Sequence, residues 1–375
     1  MDIPWVIEES TRIKHALLEG YIRPWMAILF STQAKYSIPE TLFYFDGFAG
    51  PGVYYADDNR VTTCDGSPLI VARAANDFIE QCPNRKVVIV CTDRDSQCVA
   101  SLAALLGGLN SHRQDWRVQH AEFDEAVNSI LDRIEAAKLT DFPMLFLIDP
   151  FGYAGYPLTT LTRIMRYPRA ELLINFMVYD IVRFGCEECF QDKITALYGS
   201  TDYLCFRDAS TPEQRQAFLL NMYCETLKAK AGARFVMPFR INTPGQSTRP
   251  RYYLIHASQN IKALRVMKDE MWKQSDAAYR FEAVGVSTDQ LSLFEDPDAV
   301  ALKDRIETYC SQNSPVGYGA IEEWAYATTN GVAATIKAAL LELEGSGRIT
   351  IQRGARQRKS TVTSGATIYM TRAAD

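Results

Sequence analysis

An α/β fold with a mostly parallel sheet, followed by a small helical domain that ends in a β-hairpin, is what this sequence predicts. Three observations carry it. Short apolar, β-branched runs alternate with segments of helical periodicity from residue 41 to residue 176, the pattern of strands buried on both faces beneath crossover helices. Periodicity then stops in the turn-rich stretch VGVSTDQLSLFEDPD. Beyond it, three helical segments and two strand-like pieces fill the remaining residues.

In order, Ser10 to Phe30 spaces Ile13, Leu17, Ile22, Trp25, Ile28 and Leu29 as one face of an amphipathic helix, with Ser10 and Thr11 as candidate caps. Next come the strand TLFYFDGF, a helix over Ser67–Phe78, the strand KVVIVCTD, a helix over Ser96–Leu106, the strand WRVQH and a helix over Asp124–Ala137. MLFLIDP, a helix near Leu158–Met165 and ELLINFMV follow. After a mixed helical stretch to about residue 232, RFVMPFRI and RYYLIHAS predict two strands that complete the sheet with an antiparallel edge, before a helix over Ile261–Trp272. The tail predicts helices over Val300–Ser311, Ala320–Ala327 and Val332–Glu344, then RITIQR and ATIYMT as a hairpin, the plan of a winged helix-turn-helix. The expected domains are 1–285 and 300–375, joined by a linker at 286–299.

The 375 residues are 47% hydrophobic with a formal net charge of -5. That length supports a sizeable core, and the acidic balance excludes a protein that coats nucleic acid over its whole surface. The exception is the tail, where Arg348, Arg353, Arg356, Arg358, Lys359 and Arg372 face only Asp375 beyond Ser346. The opening MDIPWVIEES has no basic, then apolar, leader pattern, and no run approaches the roughly 20 apolar residues of a membrane span, so a cytoplasmic protein with no membrane partner is expected. Nine scattered cysteines do not form a disulfide framework. Cys186 and Cys189 make a CxxC without a second pair or ligand-spaced histidines, and no metal is expected.

Open parallel sheets bind ligands beyond the carboxyl ends of their strands, where Asp46, Asp93, Glu122 and Asp149 all fall. In FYFDGFAGPG the glycines Gly47, Gly50 and Gly52, with Phe48 and Ala49 between them, either floor a nucleotide pocket or serve plain chain reversal. Asp93 follows the next strand, where a carboxylate accepts from ribose hydroxyls, with Asp95 as the fallback. Glu122 stands where it accepts from an adenine amine, and Phe123 supplies an apolar wall. Together these describe an adenosine site. The acidic insertion VYYADDNRVTTCD after the turn disfavours a pyrophosphate and welcomes a cationic sulfonium.

FDGFAGPG, CTDRD, AEFDE and IDPFG, in that order, resemble the successive motifs of class I S-adenosylmethionine-dependent methyltransferases. More closely, TRIKHALLEGYIRPW, FYFDGFAGPG with GSPLIVA after it, LFLIDPFG and LLINFMVYDIVRF resemble the three-Cys-motif partner protein family over nearly the whole chain. The resemblance implies a Rossmann-like methyltransferase domain, S-adenosylmethionine as cofactor, and a neighbouring protein with a three-cysteine motif as partner. It further implies that Asp149, Pro150, Phe151 and Gly152 form a catalytic loop similar to the Asp-Pro-Pro-Tyr loops of amino-methyltransferases, where the acid holds an exocyclic amine of an extruded base. Phe151 and Gly152 stand where that loop has its second proline and its aromatic residue, and DPFG is also similar to the loop of the tRNA guanine-N2 methyltransferases. The alternative is that Asp149 caps the following turn.

Lys14 and His15 either reach over the pocket or lie on a solvated helix face. Asn175 and Tyr179 are candidates to line the acceptor cleft, and Tyr153 and Tyr156 to stack on a base or to cover core. Gln290, Leu291, Leu293 and Phe294 in QLSLF resemble the short peptide by which bacterial proteins dock on the replication sliding clamp; pinning of the linker to the first domain is the alternative. In the tail, Lys337, Arg348, Arg353, Arg356, Arg358 and Lys359 are expected to meet the phosphates of DNA or RNA, with little direct base readout from Thr335 and Lys337. The function expected is methyl transfer to a nucleobase amine; a recruiter or regulator that keeps the cofactor fold without catalysis is the alternative.

Overall fold

The computed structural model describes residues 3–33, 41–81, 85–109, 114–139, 141–243, 246–274, 279–281, 297–354 and 358–371. Arg356 and the QLSLF peptide with Gln290, Leu291, Leu293 and Phe294 lie outside these residues. The chain divides into two compact units, Met1–Arg280 and Phe281–Asp375.

The first unit begins with α1 (Glu9–Gln33), β1 (Thr41–Asp46), the hairpin β2 (Val53–Tyr55) and β3 (Thr63–Asp65), α2 (Ser67–Gln81), β4 (Lys86–Asp93), α3 (Ser96–Gly107), β5 (Gln114–His120) and α4 (Phe123–Ala136). It continues through β6 (Met144–Ile148), α5 (Leu158–Met165), β7 (Ala170–Phe176), α6 (Val178–Phe184), α7 (Glu188–Tyr198), a 3-10 turn at Asp202–Asp208 and α8 (Pro212–Ala229). It ends with β8 (Phe235–Thr243), β9 (Gln246–Ser258), α9 (Ile261–Gln274) and the short β10 (Tyr279–Phe281).

The sheet runs β10-β8-β9-β7-β6-β1-β4-β5. From β5 to β7 neighbouring strands are parallel, and β9 enters antiparallel between β7 and β8. This is a mixed α/β architecture with a mostly parallel central sheet. Every residue of β6 and β7 is buried, which is why β6 reads as an unbroken apolar run and β7 as one broken only by Glu171 and Asn175. The acidic insertion after the glycine turn is itself structured, as the β2–β3 hairpin pairing Val53 with Asp65.

Helix α1 buries Leu17, Leu18, Tyr21, Ile22, Trp25 and Met26 and packs on α2 and α9. Several of its polar contacts are also internal. Tyr21 Oη donates to Glu171 Oε2, Trp25 Nε1–H donates to Oε1 of the same carboxylate over 2.9 Å, and His256 Nε2 lies 3.1 Å from Oε2. A carboxylate taken out of water needs such partners. Tyr252 Oη donates to the Ser10 carbonyl over 2.7 Å.

The second unit has α10 (Pro297–Asn313), β11 (Val316–Gly317), α11 (Tyr318–Thr328), α12 (Ala333–Gly345), β12 (Ile349–Gln352) and β13 (Thr367–Met370). Its strands form an antiparallel sheet in the order β11-β13-β12, closed over Ile306, Ile321, Ile336, Leu340 and Ile368. The strand β11, only two residues long, joins the expected hairpin. No helix among the described residues is long and apolar enough to cross a membrane.

Candidate functional site

At the carboxyl edge of the parallel strands lies a cleft of about 410 Å³, walled by Gly47, Phe48, Asp93, Arg94, Ala121, Glu122 and Phe123 on one side and by Pro150 to Gly155 with Lys193 on the other. Its floor is aromatic. Phe48 and Phe123 stack with centroids 5.8 Å apart and planes 16° apart, and Phe45 meets Phe123 edge-on from below. Gly47 is required by this stack, since a Cβ there would stand 2.3 Å from the Phe123 ring.

Asp93 does two jobs at once. Its Oδ2 accepts the Gly50 amide over 2.9 Å and its Oδ1 accepts the Asp95 amide over 2.8 Å, so it latches the glycine turn to its own loop. A carboxylate offers about four lone-pair sites, so acceptor capacity towards the cleft remains. Gly50 holds φ of +60° and Gly52 φ of +85°, backbone angles that favour glycine. Glu122 occupies the N-cap position of α4 without a capping bond from its side chain, and it is exposed at the cleft. Two carboxylates around an aromatic floor are an acceptor set that fits an adenosine, whose ribose hydroxyls and exocyclic amine donate.

Several expected residues sit elsewhere. Asp95 accepts from the Gln97 amide and caps α3, outside the cleft wall. Asp46 is fully buried behind the turn, where its carboxylate accepts from Tyr44 Oη over 3.0 Å and from the Phe48 amide over 3.4 Å. Burial pushes its carboxyl up to about 6, against the hydrogen bonds from Ser67, Tyr44 and Phe48, which pull it down. Ala49, Gly50 and Gly52 shape the turn without lining the cleft. Tyr156 is buried, whereas Tyr179 is 47% exposed.

Asp149, just past β6, is the centre of a second cluster. Lys14 from α1 donates from Nζ to Asp149 Oδ2, and Asn175 Nδ2 donates to Oδ1 over 2.6 Å. The register Ile148↔Ile174 between β6 and β7 brings residues 149 and 175 side by side. Phe176, stacked on Tyr223 at 4.5 Å and 4°, anchors that strand end. Lys14 also lies 5.3 Å from the centre of the Tyr252 ring. Beside it, burial first and the Lys14 charge second push the His15 imidazole down to about 4, so it is neutral at pH 7. Phe151 is 77% exposed and meets Trp5 edge-on at 5.6 Å. Lys193 and Arg94 are the charged cleft residues that sequence reading missed, beside the small residues Ala121, Ala154 and Gly155.

No family model matches the chain, and no curated protein matches it. Among solved structures, a Legionella pneumophila protein carrying the family designation DUF519 aligns with a TM-score of 0.40 and 11% identity, covering 74% of this chain and 97% of its own. Human methyltransferase-like protein 13, in complex with SAH, aligns with a TM-score of 0.33 and 13% identity over 76% of this chain and 100% of its own. The cyclopropane synthase MmaA2 from Mycobacterium tuberculosis gives 0.25 and 12% over 84% and 78%.

In the second unit the expected phosphate-binding residues divide. Arg353 makes a two-pronged pair with Glu344 at 2.7 and 2.5 Å and donates from Nε to the Thr361 carbonyl, which raises its guanidinium pKa further. Arg348 pairs with Glu307 at 2.5 Å. Lys337 lies 5.8 Å from the Tyr318 ring centre. Arg358 and Lys359 are exposed. Cys186 and Cys189 are exposed free thiols, and no group of three metal-ligating side chains occurs among the described residues.

Proposed function

We propose that this chain is an S-adenosylmethionine-dependent methyltransferase acting on a nucleobase amine of DNA or RNA. The observation that supports it most is the juxtaposition of Asp93, Glu122 and the Phe48–Phe123 stack in one cleft with an acid on the neighbouring strand end held by a lysine and an asparagine. The cofactor, when bound, supplies an electrophilic methyl group. Asp93 accepts from the ribose hydroxyls, Glu122 accepts from the adenine amine, and Phe123 walls the ring. Lys14 orients Asp149, and Asp149 accepts an N–H of the acceptor amine. Orientation, more than proton abstraction, is the contribution of this pair. Pro150 and Phe151 wall the acceptor, and Gly152 leaves room for it. The base must leave any stack to reach them.

The second unit, read as a winged helix-turn-helix, holds the nucleic-acid backbone through Arg358, Lys359 and Lys337. The QLSLF peptide is proposed to dock on the sliding clamp. The test is incubation of the protein with methyl-labelled S-adenosylmethionine and separate DNA and RNA pools, followed by nucleoside mass spectrometry, with Asp149→Ala alongside. A labelled nucleoside that disappears in the variant is expected. No label in either pool would overturn the reading.

A second reading is a non-catalytic recruiter of a three-Cys-motif partner. It is favoured by Phe151 and Gly152, which depart from the amine-methylating loop, and by Lys14, whose ammonium already engages Asp149. A partner protein captured equally by wild type and by Asp149→Ala, without label transfer, is its signature.

A further inference from the structure

Asn175 is buried to 3% exposure, and its side chain is only half satisfied. Its Nδ2 donates to Asp149 Oδ1 over 2.6 Å and lies 3.7 Å from Met177 Sδ, whereas its Oδ1 is buried with no partner. The amide cannot relieve this by turning over. Asp149 already accepts from Lys14 on Oδ2, and a flipped amide would set the Asn175 oxygen against its Oδ1. A buried carbonyl oxygen left without a donor is costly, and one retained in a folded protein calls for an explanation.

We infer that Asn175 reads the second N–H of the acceptor and thereby restricts this site to primary amines; the inference rests on the methyl-transfer reading above. The strand order places the two groups that matter on one flank. β1 pairs with β6 in the register Asp46↔Leu147 and leads into the glycine turn of the cleft, whereas β7 lies on the opposite side of β6. A primary amine at Asp149 has two N–H groups. One is accepted by the carboxylate, the other by Asn175 Oδ1, and the nitrogen lone pair is left for the incoming methyl. The nitrogen forms its bond to carbon as the carbon–sulfur bond breaks with its electron pair on sulfur, and one N–H proton leaves by way of Asp149 to water. The product keeps a single N–H, so either Asp149 or Asn175 Oδ1 would lose its donor in a second round. The site therefore delivers one methyl group.

The test uses the full chain and paired fluorescent single-stranded oligonucleotides, DNA and RNA, whose adenine, cytosine or guanine amine is either unmodified or N-monomethylated. Wild type is expected to bind one unmodified member about ten-fold more tightly than its methylated twin, the scale of one lost buried hydrogen bond. Asn175→Leu, of similar size, is expected to bring the two within about two-fold and to yield some dimethylated product with S-adenosylmethionine. Asn175→Ser, which retains an acceptor oxygen, keeps part of the preference and carries the test if the leucine variant does not fold. Equal binding by wild type, or a preference that survives both substitutions, overturns the inference. Label transfer separates the two claims: no label with the preference intact removes the methyl-transfer reading alone, and label with a preference indifferent to residue 175 removes this one alone.

Discussion

Lys14 of the first helix and Asp149 at the end of the fourth parallel strand in chain order form an ion pair across 135 positions of sequence, with Asn175 on the other carboxylate oxygen. The lysine side chain is 12% exposed and the aspartate 25%, so the pair is only partly screened by water. Lys14→Met is expected to lower kcat about 10- to 100-fold while leaving cofactor affinity within about two-fold, because it disturbs acceptor orientation alone. Single-turnover kinetics beside calorimetric titration checks this. An equal loss in both would place Lys14 in the cofactor site instead.

Two shifted groups near the site work against each other with pH. Asp46 is pushed up from 3.8 to about 6, so the native state holds its proton where the unfolded chain has released it, and its contribution to stability falls as pH rises through that window. His15 is pushed down from 6.5 to about 4, so the unfolded chain holds the extra proton, and its contribution rises with pH. Each amounts to at most about 3 kcal/mol, and less for His15, which keeps some contact with solvent. Their sum is nearly flat between pH 4 and 6. Asp46→Asn should expose the histidine slope, giving a protein that gains stability from pH 4 to 6.5, and His15→Gln should expose the opposite slope. Urea unfolding at a series of pH values reads both. Parallel profiles for wild type and both variants would refute the opposition.

Gly47→Ala places a methyl group 2.3 Å from the Phe123 ring and must tilt that ring off Phe48. Cofactor affinity is expected to fall at least about ten-fold, with a stability loss of about 1–3 kcal/mol from the strained packing. Phe123→Leu in the same background should recover stability but not affinity, as measured by thermal unfolding and calorimetry.

The arginines of the second unit should separate by role. Arg358→Gln and Lys359→Gln are each expected to reduce the slope of log affinity against log salt by about 1 for nucleic acid. Arg353→Gln breaks the two-pronged pair with Glu344 and should destabilise the unit by about 1–3 kcal/mol with little change in that slope. A larger slope change for Arg353 than for Arg358 would reverse the assignment.

The parallel strands were legible because β6 and β7 are buried on both faces and so carry no polar alternation to confuse with a loop. The glycine turn was legible as a place, but the roles within it were not. Asp46, the acid nearest the glycines, is turned inward to Tyr44, and Asp93, read as a ligand for ribose, also fastens Gly50. Sequence shows that an acid ends a strand, not which way its carboxylate faces. Lys193 was invisible because it lies in α7, outside every motif that pointed to the cleft. The β2–β3 hairpin was read as an insertion because its strands, three residues each, are too short for alternation to show. Asn175 carried no signal beyond its position, since an orphaned oxygen exists only once Asp149 and Met177 have taken its N–H groups.

The fastening of α1 has a bearing on synthesis. The helix that carries Lys14 is tied down by hydrogen bonds to Glu171 and from Tyr252 and by the His256 ring against Tyr21, and Tyr252 stands 242 positions after the serine whose carbonyl it meets. As the chain leaves the ribosome from its N-terminus, the first helix can meet α2 and Glu171 early, but its fastening stays incomplete until β9, nearly the last strand of its unit, has emerged and inserted beside β7. Contacts this distant in sequence close slowly. The cleft, built from the ends of β1, β4 and β5 and the loop after β6, can therefore form in a nascent chain before α1 is fully fastened, and on the proposed function such an intermediate would hold the cofactor before Lys14 is fixed against Asp149.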